Sequence, residues 1–334
     1  MESETDPAWS LETWTAELLA ELRRHRYTPA AWAGLFGASW ERSRATARRE
    51  AGLVRSWRRL TLALLAGSAC PLALAWRTGS VRQARRMAMP LLAGLLWQQA
   101  DAYVHLGINR RLRDGVLLPN LGPALWLSYL RGTTAHWLLS ATLAGIDLPG
   151  LGPCALLVGA VTDSLDGPLA RGKDRATKLG AYADGEADIV LAVATAMAAV
   201  RRGSLPANIY WMIAARYALP LGVGFGLACA RSRSPSLEHT LTGRLCGVAQ
   251  VGLMSCALAP ARWQGLATRP RRLLLPLAVM LNVASGTVQA WRVLCATRHL
   301  PDRRGAAMRD DRAMRTQAHP GAASVAGTCG CGRP

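Results

Sequence analysis

Apolar residues in this chain come in long blocks rather than in short alternating runs. Blocks near the length of a membrane-crossing helix, about 17 to 25 residues, fall at 60–76, 87–106, 123–145, 150–169, 183–200, 206–230, 246–262 and 273–295. The pattern predicts an all-α integral membrane protein. The first two blocks are the weakest, because the first is short and carries Pro71 and the second ends in the polar run Trp97-Gln98-Gln99-Ala100-Asp101. They fit spans, a re-entrant hairpin or surface helices. Ahead of them, residues 1–58 alternate Trp, Leu and Ala with charges at helical spacing, as in Trp9, Trp14, Leu18, Leu19 and Leu22. Such an apolar stripe suits a cytoplasmic amphipathic region lying on a membrane or packing on another subunit, and equally a surface helix with no specific partner. Residues 59–114 hold the extra hydrophobic segments and a basic juxtamembrane stretch. From 296 to 334 the chain turns to Arg, Ala, Gly and Pro without period, which predicts a disordered basic tail.

Length alone would allow one large or two small soluble domains in 334 residues, but the apolar blocks exclude that. The formal net charge of +19 raises nucleic acid as a partner. No helix-turn-helix, finger or aromatic-basic pattern accompanies it, so none is expected. Arginines cluster instead at 42–59, 110–113, 231–244 and 292–315, beside the apolar blocks, and 171–178 adds Arg171, Lys173, Arg175 and Lys178. Such patches favour an anionic cytoplasmic leaflet. Arg201, Arg202, Arg262, Arg269, Arg271 and Arg272 fall on the opposite side if the last six blocks alternate. The eight cysteines suggest no disulfide framework, five lying in or beside apolar blocks, and Cys329 and Cys331 lack the further ligands of a zinc site.

The chemistry concentrates between Asp163 and Asp188. There the chain reads Asp163-Ser-Leu-Asp166-Gly167-Pro-Leu-Ala170-Arg171, then eight residues, then Gly180-Ala-Tyr-Ala-Asp184-Gly-Glu-Ala-Asp188. On a helix, Asp163 and Asp166 share a face with Gly167, Ala170 and Arg171, while Gly180, Asp184 and Asp188 form a stripe on a second helix. Carboxylates next to hydrocarbon need a partner or a cation. Two facing pairs of short acidic side chains can hold a hard cation such as Mg²⁺, which takes a few carboxylates plus substrate phosphate oxygens. Gly167 and Gly180 leave room for a ligand to approach closely.

Position for position, this run resembles the signature D-x2-D-G-x2-A-R-x8-G-x3-D-x3-D of the CDP-alcohol phosphatidyltransferases. Weaker similarities extend over roughly 115–295. Pro119-Asn120-Leu121 with Leu127, Ser128 and Arg131 is similar to the start of the family's first core helix. Met212-Ile213-Ala214-Ala215-Arg216 and Thr242-Gly243-Arg244-Leu-Cys246-Gly247-Val-Ala-Gln250 loosely resemble segments of bacterial phosphatidylglycerophosphate synthases. Here Tyr217, Cys246 and Gly247 depart from the expected Glu, Lys and Thr, which leaves the acceptor undetermined. The resemblance implies a six-helix transmembrane core over 115–295, with one or two additional N-terminal hydrophobic segments and the signature at the junction of the second and third core helices.

The resemblance also implies the reaction. An alcohol attacks the phosphorus of a CDP-linked lipid, CMP leaves, and a phosphodiester of phospholipid biosynthesis forms. Two Mg²⁺ or Mn²⁺ ions would stabilise the attacking and leaving oxygens, with Asp163, Asp166 and Asp184 as ligands. Asp188 is expected as the general base, also within reach of a metal. Gly167, Ala170 and Gly180 are expected around the nucleotide, and Arg171 and Lys178 at its phosphates. Arg216, Arg131 and Arg244 are the expected contacts of a phosphorylated acceptor, and His136 is expected as a core residue. The donor expected is CDP-diacylglycerol, the acceptor a small polar alcohol or alcohol phosphate, and a homodimer is left open. The expected location is the cell membrane, multi-pass, with the site facing the cytoplasm. Three other readings compete: an intramembrane prenyltransferase, whose aspartate motifs lie on distant helices; a cation transporter, which calls for acidic residues in repeated halves; and a family member that binds nucleotide without turnover.

Overall fold

A computed structural model describes residues 11–148, 150–172, 176–231 and 240–298. Lys173 and the tail beyond Arg298 lie outside the described residues, as does the side chain of Arg171. The described residues form ten α-helices: α1 (Leu11–Arg24), α2 (Pro29–Arg49), α3 (Ala51–Thr78), α4 (Val81–Val104), α5 (Pro123–Leu143), α6 (Leu151–Gly172), α7 (Lys178–Arg201), α8 (Ala207–Arg231), α9 (Leu241–Ala257) and α10 (Gln264–Arg298). Three stretches, Ala51–Thr78, Ala207–Ala230 and Ala261–Cys295, are long and apolar enough to cross a bilayer, and they mark the chain as a membrane protein.

The last six helices overlap the apolar blocks, with three departures: α7 starts at Lys178, five residues ahead of its block; α10 starts at Gln264, nine ahead of its block; and the seventh block, 246–262, becomes α9 starting at Leu241 and stopping at Ala257. Thr240 explains the early start of α9, because its side chain caps the helix by accepting from Gly243 N at 3.0 Å. α5 is the central helix. Leu125, Tyr129, Arg131, Ala135, Leu138 and Ala141 point in different directions around it, and all are buried. α7 packs along it through small residues, among them Ala183, Ala187 and Ala194, which allow close helix approach where lipid removes the hydrophobic drive for association.

The N-terminal segments pack against this core. Leu53, Leu60 and Leu64 of α3, Ala102 of α4, Leu125 and Tyr129 of α5, and Leu179 and Ala183 of α7 share one cluster. Within the polar run in α4, Gln98, Gln99 and Asp101 face inward, while Trp97 and Ala100 are exposed. Gln98 Nε2 donates to Tyr129 O at 3.1 Å, and Thr133 Oγ1 donates to Gln98 Oε1 at 3.2 Å. Thr61 Oγ1 donates to Gln99 Oε1 at 2.7 Å, and Tyr182 Oη to Asp101 Oδ1 at 3.2 Å. The residues that make this block a poor span are thus the ones that dock it. Gly132 is part of the fit, since a Cβ there would lie 2.6 Å from Gln98 Nε2. His136 is a core residue, its ring filling the space left by Gly94, where a Cβ would lie 2.5 Å from Nδ1.

At the far end of the bundle Arg202, which caps α7, pairs with Asp147 in the α5–α6 connection and donates to Leu258 O at 3.4 Å after α9. Alternation of the helices therefore does place Arg202 at the end away from the aspartates. The six cysteines among the described residues are free thiols.

Candidate active site

The site forms where α6 ends and α7 begins. Thr177 sets the start of α7: its side chain accepts from Gly180 N at 3.0 Å, closing the first turn around the signature's second glycine. Its neighbours on either side, Ala176 and Lys178, are held by the α4–α5 connection. Leu112 N donates to Ala176 O at 2.8 Å and Lys178 N to Arg110 O at 3.1 Å. The basic stretch 110–113 thus lies beside the start of α7, a placement no local pattern predicts. Asn109 pins that connection, donating to Leu118 O and Asn120 O at 3.2 and 3.1 Å.

With these ends fixed, the helical spacing brings the aspartates together. Asp163 and Asp166 of α6 and Asp184 of α7 each place one carboxylate oxygen within 4.8 Å of the others. Asp166 is the most enclosed, its side chain 15% exposed against 67% for Asp163 and 39% for Asp184. This oxygen-only donor set of converging carboxylates fits a hard divalent cation such as Mg²⁺. Asp188 lies one turn deeper on α7 and outside that triad.

A guanidinium sits among all four carboxylates. Arg131 of α5 is 1% exposed. Its Nη2 donates to Asp166 Oδ2 at 2.6 Å and Asp184 Oδ1 at 2.7 Å, and its Nη1 reaches Asp163 Oδ1 at 3.5 Å and pairs closely with Asp188. Arg131, expected as an acceptor contact, is paired with the acidic cluster in this structure. Residue spacing shows which face of a helix a charge occupies but not which helix will meet that face.

Arg216 of α8 has a different environment. It is 8% exposed, and among the described residues its hydrogen bonds all end on neutral oxygens. They run to Ser285 Oγ at 3.3 Å, Tyr217 Oη at 3.0 Å, Gln250 Oε1 at 3.1 Å and Gly243 O at 3.1 Å. Its guanidinium also lies over the Tyr217 ring, 4.8 Å from the centroid. Tyr217 and Gly243 belong to the segments that carry the weaker similarities, and Gln250 closes one of them. Arg244 is exposed at the start of α9, and Lys178 is exposed at the first turn of α7. Gly167 and Ala170 are half-buried on α6.

A second polar group backs the site on the other face of α7. Tyr182 and Glu186, two residues from Asp184 on either side, turn toward Asp101 of α4 and His105 just past its end. The His105 and Tyr182 rings lie 4.5 Å apart. His105 Nδ1 lies 3.2 Å from Asp101 Oδ1. Burial lowers the proton affinity of His105, but the hydrogen bond and charge of Asp101 outweigh it, and its pKa stands above the usual 6.5.

Compared with known proteins, the chain matches one family model, described as CDP-alcohol phosphatidyltransferase, over residues 123–291. That stretch is half of the 334 residues and spans α5 through most of α10. No curated protein and no solved structure matches the chain.

Proposed function

The chain belongs to the CDP-alcohol phosphatidyltransferase family, and from that premise we propose that it transfers a phosphatidyl group from CDP-diacylglycerol to a phosphorylated small alcohol in phospholipid biosynthesis. The observation that carries this reading is the convergence of Asp163, Asp166 and Asp184 on one point beside Asp188. Asp163, Asp166 and Asp184 would hold Mg²⁺ or Mn²⁺, which supplies electrostatic stabilisation of the pyrophosphate and of the charge growing on the leaving CMP.

The remaining roles fall to side chains of this chain. Asp188 takes the proton of the acceptor hydroxyl as its oxygen bonds to the lipid phosphorus and the bond from that phosphorus to the CMP oxygen breaks. Gly167, Ala170 and Gly180 line the nucleotide pocket, with Arg171 and Lys178 at its phosphates. Arg216 binds the acceptor's phosphate, a role supported by its lack of an acidic partner among the described residues. Arg244, exposed nearby in sequence to Gly243, guides the anionic acceptor inward. The arginine clusters beside the helices support a multi-pass location in the cell membrane with the site on the cytoplasmic face.

The test is CMP release. Detergent-purified protein given CDP-diacylglycerol and a panel of alcohols and alcohol phosphates should yield CMP only with Mg²⁺ or Mn²⁺ present, and fastest with a phosphorylated acceptor. Isoprenoid transfer, or cation flux in liposomes without CMP, would reject the reading.

A further inference from the structure

Arg131 is the most deeply buried charge among the described residues. Its partners come from two helices, Asp163 and Asp166 on α6 and Asp184 and Asp188 on α7, so the guanidinium is the tie that draws those helices together at the site. Its terminal nitrogens serve carboxylates alone, while its Nε is buried with no partner. Nothing neutral fixes this side chain, and what holds it is negative charge.

Charge counting shows why this matters. Four ionised carboxylates and one guanidinium leave a formal deficit of three positive charges. Two divalent ions would bring the group to one net positive charge, and to neutrality if the guanidinium were absent. The Nη2 atom lies between Asp166 and Asp184, two of the three carboxylates whose oxygens converge. A cation entering among those oxygens meets a like charge already in place, carried by a guanidinium that is itself shut off from solvent.

We propose that Arg131 is a built-in counter-cation: it neutralises and gathers the aspartates when no metal is bound, and divalent ions bind by taking Asp166 and Asp184 from it. The role rests on the reading of the aspartates as metal ligands. Arg131 is a positioning residue, acting through the carboxylates rather than on substrate. It sets how much metal the site needs, and it keeps α6 and α7 assembled when metal is scarce.

The experiment measures Mn²⁺ affinity by electron paramagnetic resonance, and thermal unfolding in chelator and in Mn²⁺, for the full-length wild type, Arg131→Gln and Arg131→Lys. Arg131→Gln should bind Mn²⁺ about tenfold more tightly than wild type, because the competitor is gone. It should also melt at lower temperature in chelator and recover in Mn²⁺, so that metal raises its melting point more than that of wild type. Arg131→Lys keeps the charge on a point-like ammonium that cannot fork between four carboxylates, and should fall between the two. If Arg131→Gln does not fold even in Mn²⁺, Arg131→Lys decides: tighter Mn²⁺ binding than wild type supports the role, and equal or weaker binding overturns it. Equal or weaker Mn²⁺ binding by a folded Arg131→Gln likewise overturns it. Failure of wild type to bind Mn²⁺ at all would remove the metal reading itself, and the counter-cation role with it.

Discussion

Arg131 and Arg216 are both buried in the helical core, and their surroundings differ in kind. Arg131 meets four carboxylates, whereas Arg216 meets a serine, a tyrosine, a glutamine and a backbone carbonyl. A cation among anions is compensated, so its removal exposes their repulsion and its presence limits what else can bind. A cation held by neutral dipoles is solvated without being neutralised, and an incoming anion completes it. Similar residues at similar depth thus divide between holding a site closed and holding one open.

The strongest way to break the comparison is on the acidic side. Asp188→Asn should lower kcat by about 10² to 10⁴, the usual range for a general base, while CDP binding measured by calorimetry stays largely intact. Asp163→Asn should instead weaken Mn²⁺ and nucleotide binding together. Equal loss of nucleotide binding in both variants would erase the division between base and metal ligands.

On the neutral side, Arg216→Gln should fold normally, since its partners are uncharged. It should raise KM for a phosphorylated acceptor by roughly 10- to 100-fold, as expected for losing hydrogen bonds to a charged group worth about 1.5–3 kcal/mol. KM for the CDP donor should not move. A matching rise for an unphosphorylated alcohol would show that Arg216 shapes the pocket rather than reading charge.

How much of this contrast is legible without a structure depends on the range of the signal. The i,i+3 and i,i+4 steps of the aspartates reveal their helix faces, and the lengths of the apolar blocks reveal α5 to α10. Both are local periodicities. Arg131 is 32 residues from Asp163 and 57 from Asp188, and no periodicity spans such gaps. Gln98 and Gln99 mislead for the same reason, because a polar run reads as solvent-facing until its partners on α3 and α5 are known. The departure at Tyr217 becomes interpretable only once Tyr217 is seen hydrogen-bonded to Arg216.

The packing that places Arg131 gives a smaller effect. Gly132→Ala would put a methyl group 2.6 Å from Gln98 Nε2 and should destabilise the protein by about 1–3 kcal/mol through overpacking. Thermal unfolding should show it, and Gln98→Ala in the same chain should recover part of the loss. No recovery would mean that the α4–α5 contact is looser than these distances imply.

Smallest of all is the effect of a third cationic group, His105, which faces Asp101, Glu186 and Tyr182. Its pKa is raised in the folded state, so its stabilisation is complete below the unfolded value near 6.5 and is lost as pH rises through the folded value. Because the pair is partly exposed, with His105 32% accessible, the loss should be under about 1 kcal/mol. Wild type should melt slightly lower at pH 8.5 than at pH 6, and His105→Gln should flatten that difference. An unchanged slope would take His105 out of the account.

The turn between α1 and α2 has a consequence for how the chain is made. Arg26 and Tyr27 both adopt left-handed backbone, with φ of 49° and 57°, a conformation that non-glycine residues hold only when their surroundings enforce it. Part of those surroundings is local, Tyr27 N donating to Leu22 O at 2.9 Å, and part lies far along the chain: Arg23 donates to Ala230 O and Tyr27 Oη to Cys229 O, both at 2.8 Å, at the end of α8. A separation of 207 residues lies between the first pair. During synthesis α1 and α2 must therefore wait, these polar groups met by water, while six later helices, α3 to α8, emerge at about 5–20 residues per second. Only then can the α1–α2 turn close onto the end of α8, so this contact is made late although its first partner is made early.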